Sequence, residues 1–346
     1  MARNVLWASL ALAPLTIFLH FAFHLGETAD FVLSAASLIP LAWLIGEATE
    51  HAGHHTGPGI GGFLNATFGN APELIIALFA VADGLEEVVR GSLTGSVIGN
   101  LLLVLGFSLL FGGRGWIDRA SAFLSIGQVA LATALFLIPA VPGWTGDPDR
   151  DSLAVVSIPP SIALLGIYVG LTWYALRRHR LQHIADEPAE MQAWPLSASL
   201  IVLGLATVVT AIIAEILVGS IETFADNAGL SDFFVAAVIV AIVGNAAEHG
   251  GAVVVAARGK IQLATEIALA SSAQVAVFLI PAVALLSWLI DPLALSFRPE
   301  ELGALAAATV ISATVLADGR TSRGNGVLLI FTYGAAAFAF YLAGDR

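Results

Sequence analysis

The chain reads as an all-α polytopic membrane protein of about eleven transmembrane helices arranged 1+5+5, and three observations carry that reading. Apolar residues fill 58% of 346 positions and charged residues only 12%, about half the charged share of a soluble domain. Apolar stretches of roughly 20 residues, enough to cross a hydrocarbon core of about 30 Å, recur along the whole length. One polar motif occurs twice, 175 residues apart.

Breaking the chain at polar and Gly/Pro-rich stretches predicts helices near 5–23, 30–52, 60–82, 91–111, 119–139, 152–176, 196–222, 232–257, 263–289, 299–317 and 323–342. Arg3 precedes the first, but no small-residue cleavage site follows Phe23, so it reads as a retained span. The division that results is a first helix in 1–29, five helices in 30–176, a linker at 177–195 and five more helices in 196–346. Abundant glycine (34 residues) suits close helix packing in lipid. The absence of cysteine excludes disulfides, thiolate metal sites and cysteine nucleophiles. A net charge of −12 with no basic stripe gives no reason to invoke nucleic acid.

Lysine and arginine favour cytoplasmic loops. Arg3, Arg114, Arg119, Arg177, Arg178, Arg180, Arg258, Lys260, Arg320 and Arg323 fall on the side of the N-terminus. Only Arg90, Arg150, Arg298 and Arg346 fall on the other. The expected protein is a multi-pass protein of the cell (plasma) membrane, N-terminus cytoplasmic and C-terminus outside.

The duplicated motif is Gly69-Asn70-Ala71-Pro72-Glu73 and Gly244-Asn245-Ala246-Ala247-Glu248. Ser96 and Ser271 repeat at the same offset, and Glu50 to Gly57 echoes Glu222 to Gly229. The copies lie on the third and eighth predicted helices. An odd separation of five spans means that they cross in opposite directions. Inverted-topology repeats of this kind build many secondary transporters, with the substrate near midplane where the copies meet.

Glu73 and Glu248 fall at similar depth near that midplane. An ionised carboxylate there is costly unless paired, hydrated or bound to a cation. Two carboxylates facing one site raise each other's proton affinity, so a divalent cation and protons would compete for the same oxygens. The bland reading is a protonated glutamate hydrogen-bonded between two helices. Pro72 removes a backbone donor and crowds the carbonyls near Phe68 and Gly69; carbonyls freed in a broken helix are hard-cation ligands. Gly69 and Gly244 flank the breaks. Asn70, Asn245, Ser96, Asn100, Ser271, Ser272 and Gln274 add neutral oxygens, in keeping with the six to eight that calcium prefers. Each of these singly serves equally well as a helix–helix hydrogen bond.

GNAPE paired with GNAAEH, followed by GSVIGN and ASSAQ, resembles the cation/proton exchangers of the calcium/cation antiporter superfamily, over roughly residues 41–111 and 210–290. The resemblance implies calcium-for-proton antiport with Glu73 and Glu248 as central ligands, and no cofactor beyond the transported Ca2+ and H+. Asn100 and Gln274 at neutral positions, and His249 after the second glutamate, favour this branch over the sodium/calcium branch. Ala247 departs from symmetry with Pro72, and so predicts a less sharp break in the second copy.

Glu50 and Glu222 occupy matching repeat positions, with Glu47 and Glu215 one or two turns earlier. They read as entrance or gating groups, or as interface residues at helix ends. His249 reads as a proton relay or as a buried neutral histidine. His51 and His55, four apart, with His54 between them, suit zinc or pH sensing, or form a solvated cluster. HEXXH is absent, so a metalloprotease fails the spacing test. Asp147, Asp149 and Asp151 mimic the start of a calcium loop, but Ser152 and Ile158 stand where glycine and glutamate belong. Asp186, Glu187 and Glu190 give the linker an acidic segment. Sodium-coupled exchange, then a proton-coupled exchanger of manganese or another divalent ion, are the rival readings within the class. An intramembrane metal-dependent hydrolase is the rival outside it. Oligomeric state stays open.

The charge asymmetry has a direct check. Single cysteines replacing Gln182 and Thr145 should react with a membrane-impermeant reagent from opposite faces; reaction of both from one face would overturn the span count.

Overall fold

In the computed structural model the described residues are 2–182 and 194–345; the side chains of 2–3, 57–63, 65–66, 175–182 and 247–249 fall outside the description. Residues 183–193, which hold Asp186, Glu187 and Glu190 of the linker, also lie outside it.

Apolar character and helical backbone coincide almost everywhere. The N-terminal span is α1 (Ala2–Ser9) and α2 (Leu12–Phe23), which ends on His24 in a left-handed conformation. Next come α3 (Glu27–Phe68) and α4 (Ala71–Ala82). The following span is α5 (Glu86–Ile98), a π-helical segment (Gly99–Val104) and α6 (Leu105–Gly112). Strand β1 (Gly115–Trp116), α7 (Arg119–Gly143) and α8 (Asp151–Gln182) complete the first half.

The second half opens with α9 (Leu196–Gly219) and α10 (Ile221–Ala228). Then come α11 (Asp232–Phe234), a π segment (Val235–Val240), α12 (Ala241–Gly244) and α13 (Ala246–Ala257). Another span joins α14 (Ile261–Gln274), a π segment (Val275–Leu279) and α15 (Ile280–Leu286). Last are α16 (Pro299–Val315), β2 (Arg320–Thr321) and α17 (Arg323–Ala343).

The described residues hold 8 helices long and apolar enough to span a membrane, or 9 if the pair Ile221–Ala228 and Asp232–Gly244, bent by 109°, is one span. The protein is therefore an all-α, multi-pass membrane protein. Helix ends expected at 119, 196, 299 and 323 fall on those residues. The expected gap between residues 52 and 60 does not occur. α3 continues to Phe68, because glycine weakens a helix by only about 1 kcal/mol per residue and does not forbid it. The expected spans 60–82 and 232–257 are each interrupted, at Gly69-Asn70 and at Asn245.

The two interruptions share their local geometry. Asn70 has φ −97° and ψ 12°, and Asn245 has φ −91° and ψ 4°. The helices that follow both end at glycine with positive φ, Gly84 (+73°) and Gly259 (+82°), again 175 residues apart. Ala247 does not soften the second break, contrary to expectation. The asparagine makes the turn in both copies. Pro72 sits in the first turn of α4, where its missing N–H is an unpaired helix-end donor in any case.

Packing is closest where α5 meets the π segment before α12. A Cβ on Gly95 would overlap the Ala237 carbonyl and lie 2.8 Å from the Ala241 Cβ. At the Glu86 end of α5, buried Arg90 donates to Asp149 (2.5 Å) and to the Ala294 carbonyl (3.2 Å). Thr94 donates to Glu301 (2.9 Å), which also accepts from the Arg298 amide (2.7 Å). These bonds hold residues 293–298, non-helical yet buried, against the helices. Asp149 thus serves a structural ion pair, and Asp147 caps the Asp149 amide (2.9 Å).

Gly95→Ala should destabilise the protein by about 1–3 kcal/mol, the usual effect of overpacking against backbone. Gly127→Ala, where an added Cβ meets nothing within 4 Å, should be neutral or slightly stabilising. Thermal unfolding in detergent compares the two; equal midpoints would contradict the packing argument.

Candidate cation site between the helix breaks

Each break starts a new helix, and the glutamate of the motif is its third residue. Glu73 follows Ala71 and Pro72 in α4; Glu248 follows Ala246 and Ala247 in α13. The first turn of a helix exposes unpaired N–H groups and the positive end of the helix dipole, which favour a carboxylate. The side chains of Glu248 and His249 lie outside the described residues.

Glu73 is 8% exposed, and its Cγ would stand 3.3 Å from a Cβ at Gly244. The carboxylate of the first motif therefore lies on the glycine of the second. Around it a narrow cavity of about 10 Å³ is lined by Glu73, Ile76, Ser92, Ser96, Val240 and Gly244, among others, just room for one water.

A buried amide network extends from the cavity. Asn245 donates to Ser96 (2.8 Å) and to the Ala241 carbonyl (3.0 Å), which the break leaves without a good helical partner. Asn100 donates to Asn245 Oδ1 (3.3 Å) and to Ser271 (3.0 Å). Its own Oδ1 has no hydrogen-bond partner among the described residues. Asn70 donates to Gln274 Oε1 at 3.5 Å, the loosest of these contacts. Both halves of the chain thus contribute to one network. Two of the three π segments, Gly99–Val104 and Val275–Leu279, border it, and such segments are frequent at functional sites.

Not every expected residue joins. Ser272 donates back to Ala268 in its own helix (2.9 Å). Gly69 is half-buried beside the first break. Glu50, Glu215 and Glu222 are exposed, and Glu47 stands 3.7 Å from His51. His51 stacks on Trp194 (4.4 Å) and accepts from its amide (3.4 Å), and His55 bonds the Trp194 carbonyl (2.7 Å). These two histidines hold the start of the second half; they do not converge with Glu73. Ser92 was missed in the sequence. Ser92, Ser96 and Asn100, spaced by four, share one helix face, and that spacing was the available signal.

A small cavity shared by two helix breaks in a multi-pass bundle, walled by one carboxylate and two serine hydroxyls, is the kind of midplane site that secondary transporters carry. The sodium/calcium exchanger protein family matches residues 28–177 and 198–342, and the chain belongs to that family. It is 34% identical to the Ca(2+)/H(+) antiporter of Synechocystis sp., over 91% of this chain and 91% of that one. It is 37% identical to the Ca(2+)/H(+) antiporter ChaA of Bacillus subtilis, over 92% and 93%. The structure of native YfkE superposes with a TM-score of 0.83 at 34% identity, covering 98% of this chain and 99% of that one. The H+/Ca2+ exchanger CAX shares the fold at a TM-score of 0.75 and 14% identity, over 99% and 92%.

Asn245→Ala should destabilise the fold by about 1–3 kcal/mol, because Asn100 and Ser96 both lose a buried partner. Ser271→Ala removes one contact and should cost about 1 kcal/mol. Unfolding midpoints measure both; an Asn245→Ala protein as stable as the parent would show the network to be incidental.

Proposed function

We propose that the protein is a secondary active antiporter that exchanges calcium, or a similar divalent cation, for protons across the membrane by alternating access. The observation that carries this reading is the contact of Glu73 with Gly244, which brings the two copies of the motif together in the bundle. The Synechocystis and B. subtilis relatives, both named Ca(2+)/H(+) antiporters, support the choice of ions.

On this reading the fold is eleven spans, a first helix in 1–29 and two inverted five-helix repeats in 30–176 and 196–346, joined by a cytoplasmic linker at 177–195. The matched turns at Asn70 and Asn245, and at Gly84 and Gly259, support the duplication. The protein sits in the cell membrane with the N-terminus cytoplasmic, and needs no cofactor beyond the exchanged ions.

Glu73 and Glu248 hold the ion, helped by Asn70, Asn245, Ser96, Asn100, Ser271, Ser272 and Gln274 and by carbonyls beside Gly69 and Gly244. Two carboxylates balance a dehydrated divalent charge. When the ion leaves, an unscreened pair at this depth takes up protons, so each ion displaces the other. Glu50, Glu222, Glu47, Glu215 and His249 serve the proton path or the gates.

Proteoliposomes loaded with calcium indicator and given a pH gradient in sodium-free buffer should show uptake. Glu73→Gln and Glu248→Gln should each abolish it in a folded protein, whereas Glu50→Gln should slow it or shift its pH profile. Uptake that needs a sodium gradient would assign the coupling to sodium; normal calcium affinity and pH dependence in Glu73→Gln would refute the shared site.

A further inference from the structure

The loops after α6 and after α16 meet as a two-stranded ribbon, with Gly115 opposite Thr321 and Trp116 opposite Arg320. Thr321 donates to the Gly113 carbonyl (2.8 Å), so the two loops form one fixed body. Six basic residues surround it: Arg114, Arg119, Arg258, Lys260, Arg320 and Arg323. Arg258 and Lys260 flank the turn into α14, whose Ile261 packs under Gly112 and Gly115. The stem of Arg119 lies on Gly319, and Arg323 Nε would stand 3.6 Å from a Cβ at Gly113. Arg320 stands 4.9 Å from the centre of the Trp116 ring, which is 66% exposed.

All six basic residues are exposed, and none forms a salt bridge among the described residues. The two carboxylates next to the ribbon are engaged with backbone: Asp118 accepts from the Ala120 amide and Asp318 from the Arg320 amide. Arg119 and Arg323 also open α7 and α17, the helix end that favours an anion over a cation. Six positive charges are therefore folded together beside only two carboxylates, neither of which pairs with any of them among the described residues. An excess of basic residues on one side of a membrane does not by itself require this, since spread-out loops satisfy it equally well.

Depth identifies the missing anion. Phe111, Phe123, Leu263 and Val327 are exposed apolar residues of the helices that enter and leave this face. Each lies three or four positions from the nearest of the six basic residues, about 4.5–6 Å along the axis for Phe123, Leu263 and Val327, while Phe111 is one residue from the end of α6. The cationic groups thus stand just beyond the lipid-facing belt, level with headgroup phosphates, and exposed Trp116 has the amphipathic ring that favours this zone. Guanidinium groups bind phosphate oxygens in a matching planar geometry.

We propose that the ribbon is a binding site for anionic phospholipid headgroups, which bridge the loop after α6 to the loop after α16 and clamp the two halves of the chain together at this face. The six basic residues are exposed and do not enclose a free phosphate ion; a lipid is held in addition by its acyl chains beside the same helices.

The test uses the full chain in nanodiscs of phosphatidylcholine, with or without phosphatidylglycerol. Phosphatidylglycerol should raise the unfolding midpoint and should be retained over phosphatidylcholine in native mass spectrometry. The combined variant Arg114→Gln, Arg320→Gln and Arg323→Gln should lower that retention at least tenfold, from about fivefold for each basic residue near an anionic surface. Arg150→Gln, in the loop between α7 and α8, should leave it unchanged. If the combined variant fails to fold, Arg114→Gln alone should give a drop of about fivefold. Equal retention of both lipids, equal retention by parent and variant, or the same stabilisation in detergent by inorganic phosphate alone would overturn the proposal.

Discussion

An interrupted helix inside a bilayer strands backbone N–H and C=O groups where no bulk water can reach them, and each unsatisfied group costs several kcal/mol. This constraint governs the centre of the molecule. Asn245 answers it directly by bonding back to the Ala241 carbonyl while reaching forward to Ser96. The same residue accepts from Asn100, which in turn holds Ser271. Repair of one broken helix therefore recruits side chains from α5, from the π segment after it and from α14.

Close approach follows from the same requirement. Short amide and hydroxyl bridges work only if the helices carrying them nearly touch. Gly95 lets α5 lie on the backbone at Ala237, and Gly244 leaves room for the Glu73 side chain. Against that tight centre the periphery is loose. Glu50, Glu215 and Glu222 are exposed and lie outside the packed network. On the proposed mechanism this division is useful: a rigid centre fixes the oxygens, and exposed acids serve the approaches.

Most of the fold was legible because apolar length and helical span coincide, as at α7, α9 and α17. The duplicated motif marked both breaks, since Gly-Asn before an acid repeats at a fixed offset. What escaped notice has physical causes. Composition treats glycine as a stop, so the continuity of α3 past residue 56 was invisible. Proline in one copy and alanine in the other suggested unequal breaks, yet the asparagines take the same backbone conformation. Ser92 went unread because its neighbour Ser96 already explained the repeat. The part-buried Arg90–Asp149 and buried Thr94–Glu301 contacts join residues 59 and 207 positions apart, and no local pattern announces such pairs.

The charged groups also divide by face in a way that sequence counting conveys only in part. At the Glu86 end of α5, arginines are paired internally: Arg90 with Asp149, and Arg298 with Glu87. At the Gly112 end, the arginines around the ribbon have no carboxylate partner among the described residues. In each pair the arginine is buried and its carboxylate partly exposed, so loss of the carboxylate leaves an isolated cation in a poorly solvated site. Exposed unpaired arginines impose no such condition and answer to whatever anion the surroundings supply. A transporter that alternates access must rearrange one face while the other holds. On the proposed reading, the paired end is held by protein groups alone, whereas the ribbon end also draws on the lipid beside it.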